Sequence, residues 1–153
     1  MRRIATVTSL FLLALALGVS FSHLLQAAPK ATLPAADFLT IHQVLLSRYG
    51  LGVGLVESLA LVATAAMSFL VRHEAQRFRL TVVAGACVLV MIVIWAVWIN
   101  PINAQVNAWS VTTIPDDWGE ARDSWHRLHT VRFALAAIAF VALSWATVQF
   151  DQQ

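Results

Sequence analysis

Trp118, Arg122, Trp125, His129 and Arg132 follow one another at steps of four, three, four and three. On a helix that spacing places all five along one stripe. An imidazole takes up or gives a proton near neutral pH, and a guanidinium stabilises an oxygen anion as it forms. His129 and Arg132 fall inside an apolar run, where a lipid-facing arginine costs on the order of 3 kcal/mol at the membrane centre and less at shallow depth. The stripe is therefore expected to face other helices, with a partner for Arg132 among them. Glu57 is the outstanding choice, being the only acid inside an apolar run of this chain. Such a pair either fixes helix register or acts on a ligand.

Depth brings further residues to the same level. A helix starting near residue 4 rises about 28 Å by His23, and Glu57 lies about 10 Å below the outer edge if its helix begins near Gly50. Trp95, Trp98, Asn100 and Asn103 approach from the third run and the connection after it. In the resulting pocket, His129 or His23 would take a proton from an activated carbon or a phenol, while Arg132, Asn100 and Asn103 would stabilise the oxyanion. An electron-rich anion of this kind reacts directly with oxygen. Glu57 would tune a histidine or hold Arg132, and Trp98, Trp118, Arg122 and Trp125 would line the rim.

The elements that must position these residues are helices in a membrane. Of the 153 residues 59% are hydrophobic and only 12% charged, and four apolar runs at about 4–27, 50–71, 80–98 and 128–150 are each long enough to span roughly 30 Å of hydrocarbon. Backbone groups in lipid must be satisfied within the segment, so the expectation is an all-α, four-helix transmembrane bundle forming a single integral domain over 1–153. A net charge of +2 with cations scattered among the runs gives no basic stripe for nucleic acid.

The connections carry their own signals. Asp117 and Glu120 are spaced as a variant capping box after Pro115, so the fourth helix should begin near Asp117 and extend beyond the membrane. Asn100 and Pro101 should end the third helix, because the residue before proline is driven from the helical region. After Pro29 and Pro34, the spacing of Phe38, Ile41, Leu45 and Leu46 predicts a short interfacial helix capped by Asp37, with His42 projecting from it. Arg2 and Arg3, with Arg72, Arg77 and Arg79, put both termini in the cytoplasm, against Lys30, Arg48, Arg122 and Arg127 outside. The plasma or inner membrane is the expected location. The first run also has features of a secretory signal peptide; retention as a helix is the expectation.

Other features carry less. His126 and His129, with His23 or Glu57, have the ligand types for zinc, iron or copper, or His23, His126 and His129 for haem. No metal site is favoured, since tryptophan and histidine near headgroups also serve as anchors. Gly50 and Gly54 have a GxxxG spacing suited to close packing within the bundle or in a dimer. Cys87, the single cysteine, reads as a packing residue. His73 and Glu74 read as part of a solvated charge cluster. Oligomeric state is not legible, and no nucleotide-binding, nucleophile-elbow or zincin motif is present.

FSHLLQAAPK, NPINAQVNAW and DDWGEARDSWHRLHTVRF, in this order over nearly the whole chain, resemble the anthrone-oxygenase-like family of small four-helix membrane proteins. The resemblance matches His23, Pro29, Asn100, Pro101, Asn103 and Trp109, then Trp118, Arg122, Trp125, His129 and Arg132. Bacterial relatives often carry glutamate directly after the tryptophan of the last motif, where this chain has His126. What the resemblance implies is an oxygenase that converts an anthrone to an anthraquinone without a recognised cofactor motif. Two expectations follow: a pocket that binds and oxidises a small lipophilic phenol- or anthrone-like molecule, or a non-catalytic membrane protein whose polar cluster holds a partner, a lipid headgroup or an ion.

Overall fold

A computed structural model describes residues 2–46 and 49–148, which form helices and turns with no strand among them. Four stretches are long and apolar enough to cross a membrane. These are α1 (Arg2–Ala31), α3 (Tyr49–Leu70), the continuous rod made by α4 (Ala75–Ile94), a π-helical turn (Trp95–Ile99) and α5 (Asn100–Asn107), and α6 (Trp118–Val148). The short α2 (Ala35–Ile41) runs into a second π-helical turn, His42–Leu46. Arg48 and the end of the fourth apolar run, to Phe150, lie outside the described residues.

The spanning helices close a ring in which α1 packs on α3, α3 on α4, α4 on α6 and α6 on α1. Helices α3 and α6 therefore face each other across the bundle axis. In the half nearer the N-terminus the interior is small and apolar, with Leu13, Ala60, Met67, Ala84, Val88, Ala139 and Leu143 fully buried. Large side chains such as Phe11, Leu55, Phe69 and Trp145 point outward. That inversion suits helices whose solvent is hydrocarbon, where close approach of small residues drives association. At this end Glu74 pairs with both Arg2 and Arg77, tying α1 to the turn before α4.

Two prolines expected to bound helices lie within them. Pro29 sits inside α1, which ends two residues later where Thr32 and Leu33 donate to the carbonyls of Pro29 and Lys30. Pro101 lies in the first turn of α5 without interrupting the rod, and Asn100 keeps a helical φ of −62° and ψ of −41°. The widened turn at Trp95–Ile99 explains this. Proline cannot donate to the carbonyl four residues back and its ring crowds it, and a π turn relieves both.

The far end is capped by α2 and α5. Phe38, Leu39 and Val106 form a small core there with Leu33, Ile102, Trp109, Ile114 and Trp118 against it. Gln43 Nε2 donates to the carbonyls of Val106, Asn107 and Trp109, satisfying the open end of α5. The expected Asp37 cap does not form. Pro34 occupies the cap position, and Asp37 stands in the first turn, where its charge still favours the helix dipole. The fourth helix begins at Trp118, one residue from the expected start, with Glu120 N–H donating to the Asp117 carbonyl at 2.9 Å.

Candidate functional site

One indole organises the polar interior. Trp125 is buried, and four imidazoles surround it: His129 at 4.1 Å between ring centres, His23 at 5.0 Å, His126 at 5.2 Å and His42 at 5.7 Å. They come from α1 (His23), the turn after α2 (His42) and α6 (His126, His129). His23 and His129 stand closest, with ring centres 4.0 Å apart. Trp125 Nε1 donates to Asn103 Oδ1 at 2.9 Å, which locks the indole to the rod.

Below this cluster Arg132 of α6 donates to Glu57 Oε1 of α3, directly and across the bundle axis. Both side chains are 3% exposed. A single charge there would be strongly disfavoured, and two opposite charges with a shared hydrogen bond compensate each other. Arg132 Nε, the Nδ1 atoms of His23, His42 and His129, and both ring nitrogens of His126 have no partner.

Three of these residues, His23, His129 and Arg132, border a chamber of about 30 Å³ lined also by Tyr49, Trp95 and Asn103 among others. That is space for a water molecule or two. Two larger grooves share its walls. One, of about 380 Å³, is apolar, lies between α1 and α3, and reaches the chamber at Tyr49 and Val53. The other, of about 260 Å³, runs past His42, Asn100 and Asn107 and meets the chamber at Gly50, Trp95 and Asn103.

The expected stripe is therefore inward over its lower part, where Trp125, His129 and Arg132 are buried together with His23 and Glu57, beside a half-buried Asn103. Its upper part forms a rim. Arg122 donates to the Ala31 carbonyl at 3.0 Å and to Asp123 at 2.9 Å, and its guanidinium lies 4.9 Å from the Trp118 ring. Asn100 is exposed and borders only the outer polar groove. Trp98 is 51% exposed and lines neither the chamber nor the two grooves beside it. The π turn is the cause: its extra residue rotates the face, so Trp95, Ile99 and Asn103 line the chamber where regular spacing would have brought Trp98. Within the bundle the GxxxG spacing is packed at Gly50, where an added Cβ would lie 3.7 Å from Trp95, whereas Gly54 meets nothing within 4 Å.

Three residues of the cluster were not assigned these positions. His126, off the stripe by spacing, is nonetheless buried against Trp125. His42 was expected to project, yet it is 2% exposed because α2 turns its Phe38 face inward and His42 follows four residues later. That spacing was a usable signal. Lys30, at the end of α1, is also buried, with Nζ 5.5 Å from the Trp125 ring. The sequence carries no sign of it.

Among the described residues no three His, Cys, Asp or Glu are grouped to hold a metal ion.

His42 lies outside the spanning helices, and its imidazole is pushed down to about 4 by burial and then by the Lys30 charge, with a hydrogen bond to Asn103 opposing. Its folded value is below the ordinary 6.5. The unfolded chain thus binds the extra proton between those values, and stability falls as pH drops through that window. The contribution of His42 is of the order of 3 kcal/mol at most. Melting temperatures at about pH 7.5 and about pH 4.5 should differ less for His42→Phe than for the unaltered protein; an equal difference would remove His42 from the acid response.

No curated protein and no solved structure matches the chain. The model of the anthrone oxygenase family matches residues 21–142, a stretch that includes His23, Glu57, Asn103, Trp125, His129 and Arg132. It covers well over half of the sequence, so this four-helix chain belongs to the anthrone oxygenase family.

Proposed function

We propose that the protein is a membrane-embedded oxygenase acting on a small lipophilic phenol- or anthrone-like molecule at the chamber between His23 and His129. The observation that carries this reading is the imidazole pair, 4.0 Å between ring centres, buried beside a compensated Arg132 in a chain of the anthrone oxygenase family. An anthrone has an acidic ring methylene whose carbanion is an aromatic phenolate. His129 or His23 accepts that proton. Nearby donors hold the oxygen anion, and the carbanion carbon gives its electrons to dioxygen. The resulting hydroperoxide loses water to leave a ketone, so one CH₂ and one O₂ become one C=O and one H₂O.

The chamber as it stands admits water, not three fused rings, so the ring system is assigned to the apolar groove between α1 and α3, with its reacting edge passing Tyr49 and Val53. Cation placement supports a site in the outer leaflet of a plasma or inner membrane, with both termini cytoplasmic. Purified protein in detergent, supplied with a panel of anthrones and quinols, should consume one oxygen per ketone formed from an anthrone, and one oxygen per quinone, with release of peroxide, if a quinol is oxidised. No uptake across that panel would overturn the oxygenase reading. Ligand binding without uptake would instead establish a non-catalytic binding protein.

Access has its own test. A side chain added at Gly52 meets nothing within 4 Å and projects beside this groove. Gly52→Trp is expected to raise KM on the order of tenfold, one hindered apolar contact's worth, with kcat and melting temperature little changed. An unaltered KM would place the entry elsewhere.

A further inference from the structure

We infer that the chamber is the subsite for dioxygen, and that the Nε–H of Arg132 holds the superoxide formed there when the bound carbanion gives up an electron. The inference rests on reading the site as an oxygenase for a phenol- or anthrone-like molecule. Size is its first support. About 30 Å³ takes one or two water-sized bodies, and dioxygen is of that size. The fused rings are assigned to the groove between α1 and α3, which meets the chamber at Tyr49 and Val53. The second reactant therefore has a compartment of its own against the reacting edge of the first.

The chamber walls are of two kinds. Leu46, Val53 and Ile99 are apolar, and dioxygen, itself apolar, is more soluble in the surrounding hydrocarbon than in water. His23, His129 and Arg132 line the same space, and each has a buried atom without a hydrogen-bond partner: Nδ1 in the two imidazoles and Nε in the guanidinium. These are three of the seven such atoms among the described residues. Buried polar groups are normally bonded. The Nε of an arginine always carries a hydrogen and cannot accept, so what this one lacks is an acceptor. Glu57 takes Nη2 of the same guanidinium and leaves Nε unpartnered. Water supplies an acceptor before oxygen enters; dioxygen becomes a good one once it is reduced.

A carbanion that has lost its proton to His129 or His23 passes one electron to dioxygen, giving a ring radical and superoxide. The negative charge thus moves from the ring into the chamber, and in a low-dielectric interior it requires a donor already in place. The two radicals join in a C–O bond, and the peroxide takes its proton from the imidazolium. The hydroperoxide carbon then loses its remaining hydrogen as a proton while the O–O bond breaks, and the leaving hydroxide takes up that proton as water. Arg132 touches the reacting oxygen in this sequence, and Glu57 positions it.

Oxygen uptake by the full chain in detergent, measured at varied oxygen and at varied anthrone, separates the two dependences. Arg132→Lys keeps a charge for Glu57 and lacks the Nε–H. Its kcat/KM for oxygen is expected to fall about 10²-fold, the cost of one oxyanion donor, with KM for the anthrone unchanged. Gly50→Ala tests the space without altering the donor. Gly50 lines the chamber and not the apolar groove, and an added Cβ makes an ordinary 3.7 Å contact with Trp95, so the fold is kept. Its KM for oxygen is expected to rise on the order of tenfold at constant KM for the anthrone. Gly50→Ala decides alone if Arg132→Lys fails to fold. Unchanged oxygen dependence in either folded variant would overturn the proposal and leave the chamber to structural water. A rise in the anthrone KM of Gly50→Ala in place of the oxygen KM would also overturn it, placing the ring edge in the chamber. No uptake by the unaltered protein removes the oxygenase reading and this subsite with it, whereas normal uptake with unshifted oxygen dependence in the variants removes the subsite alone.

Discussion

Glu57→Ala is expected to destabilise the protein by roughly 3–5 kcal/mol, since it leaves Arg132 charged and unpaired in the bundle. The loss is read as a fall in melting temperature in detergent. Glu57 and Arg132 sit on helices that are not neighbours in the ring, so their bond is a direct tie across the axis. The double variant Glu57→Leu with Arg132→Met removes both charges and should recover most of that stability, because apolar residues of similar volume replace buried ion pairs at little cost. Its activity then separates two roles. Full oxygen uptake in a stable double variant would make the pair a register device only, whereas a stable but inactive one places Arg132 in the reaction. A Glu57→Ala protein that melts within a degree of the unaltered one would show that the charges are not held together as described.

The second large effect concerns proton transfer. His129→Ala is expected to lower oxygen uptake by about 10²–10⁴-fold, the range for removal of a general base, while the fold survives. His129 sits at 4.1 Å from Trp125 and 4.0 Å from His23, measured between ring centres, so His23→Ala serves as the comparison. A larger loss in His23→Ala would exchange the two roles. Uptake within about threefold of normal in both variants would remove imidazole base catalysis, since general bases contribute far more. Loss of folding in both would make the pair structural.

The membrane reading and the number of spanning helices follow from apolar run length, and the four stretches named above agree with it. Chain ends within those helices were less legible. Pro29 and Pro101 are strong local stop signals, and both are overridden, one near the last turn of α1 and the other through a widened turn. Of the two tryptophans expected at that level, the widening keeps Trp95 in the chamber and turns Trp98 out of it. A face shift of one residue has no signature in the hydrophobic pattern when both faces of the turn are apolar.

By itself the sequence determined the inward lower part of the α6 stripe and the Glu57–Arg132 pair, because helical period fixes which side chains share a face and hydrocarbon penalises a charge left alone. It also determined family membership, through motifs whose order spans the chain. Only the tertiary structure decided that His42 and Lys30 turn inward to join the four-imidazole cluster around Trp125. The orientation of a side chain at a helix end is set by what packs against it. For these two residues that is α6, about ninety residues away in the chain and absent from any local pattern.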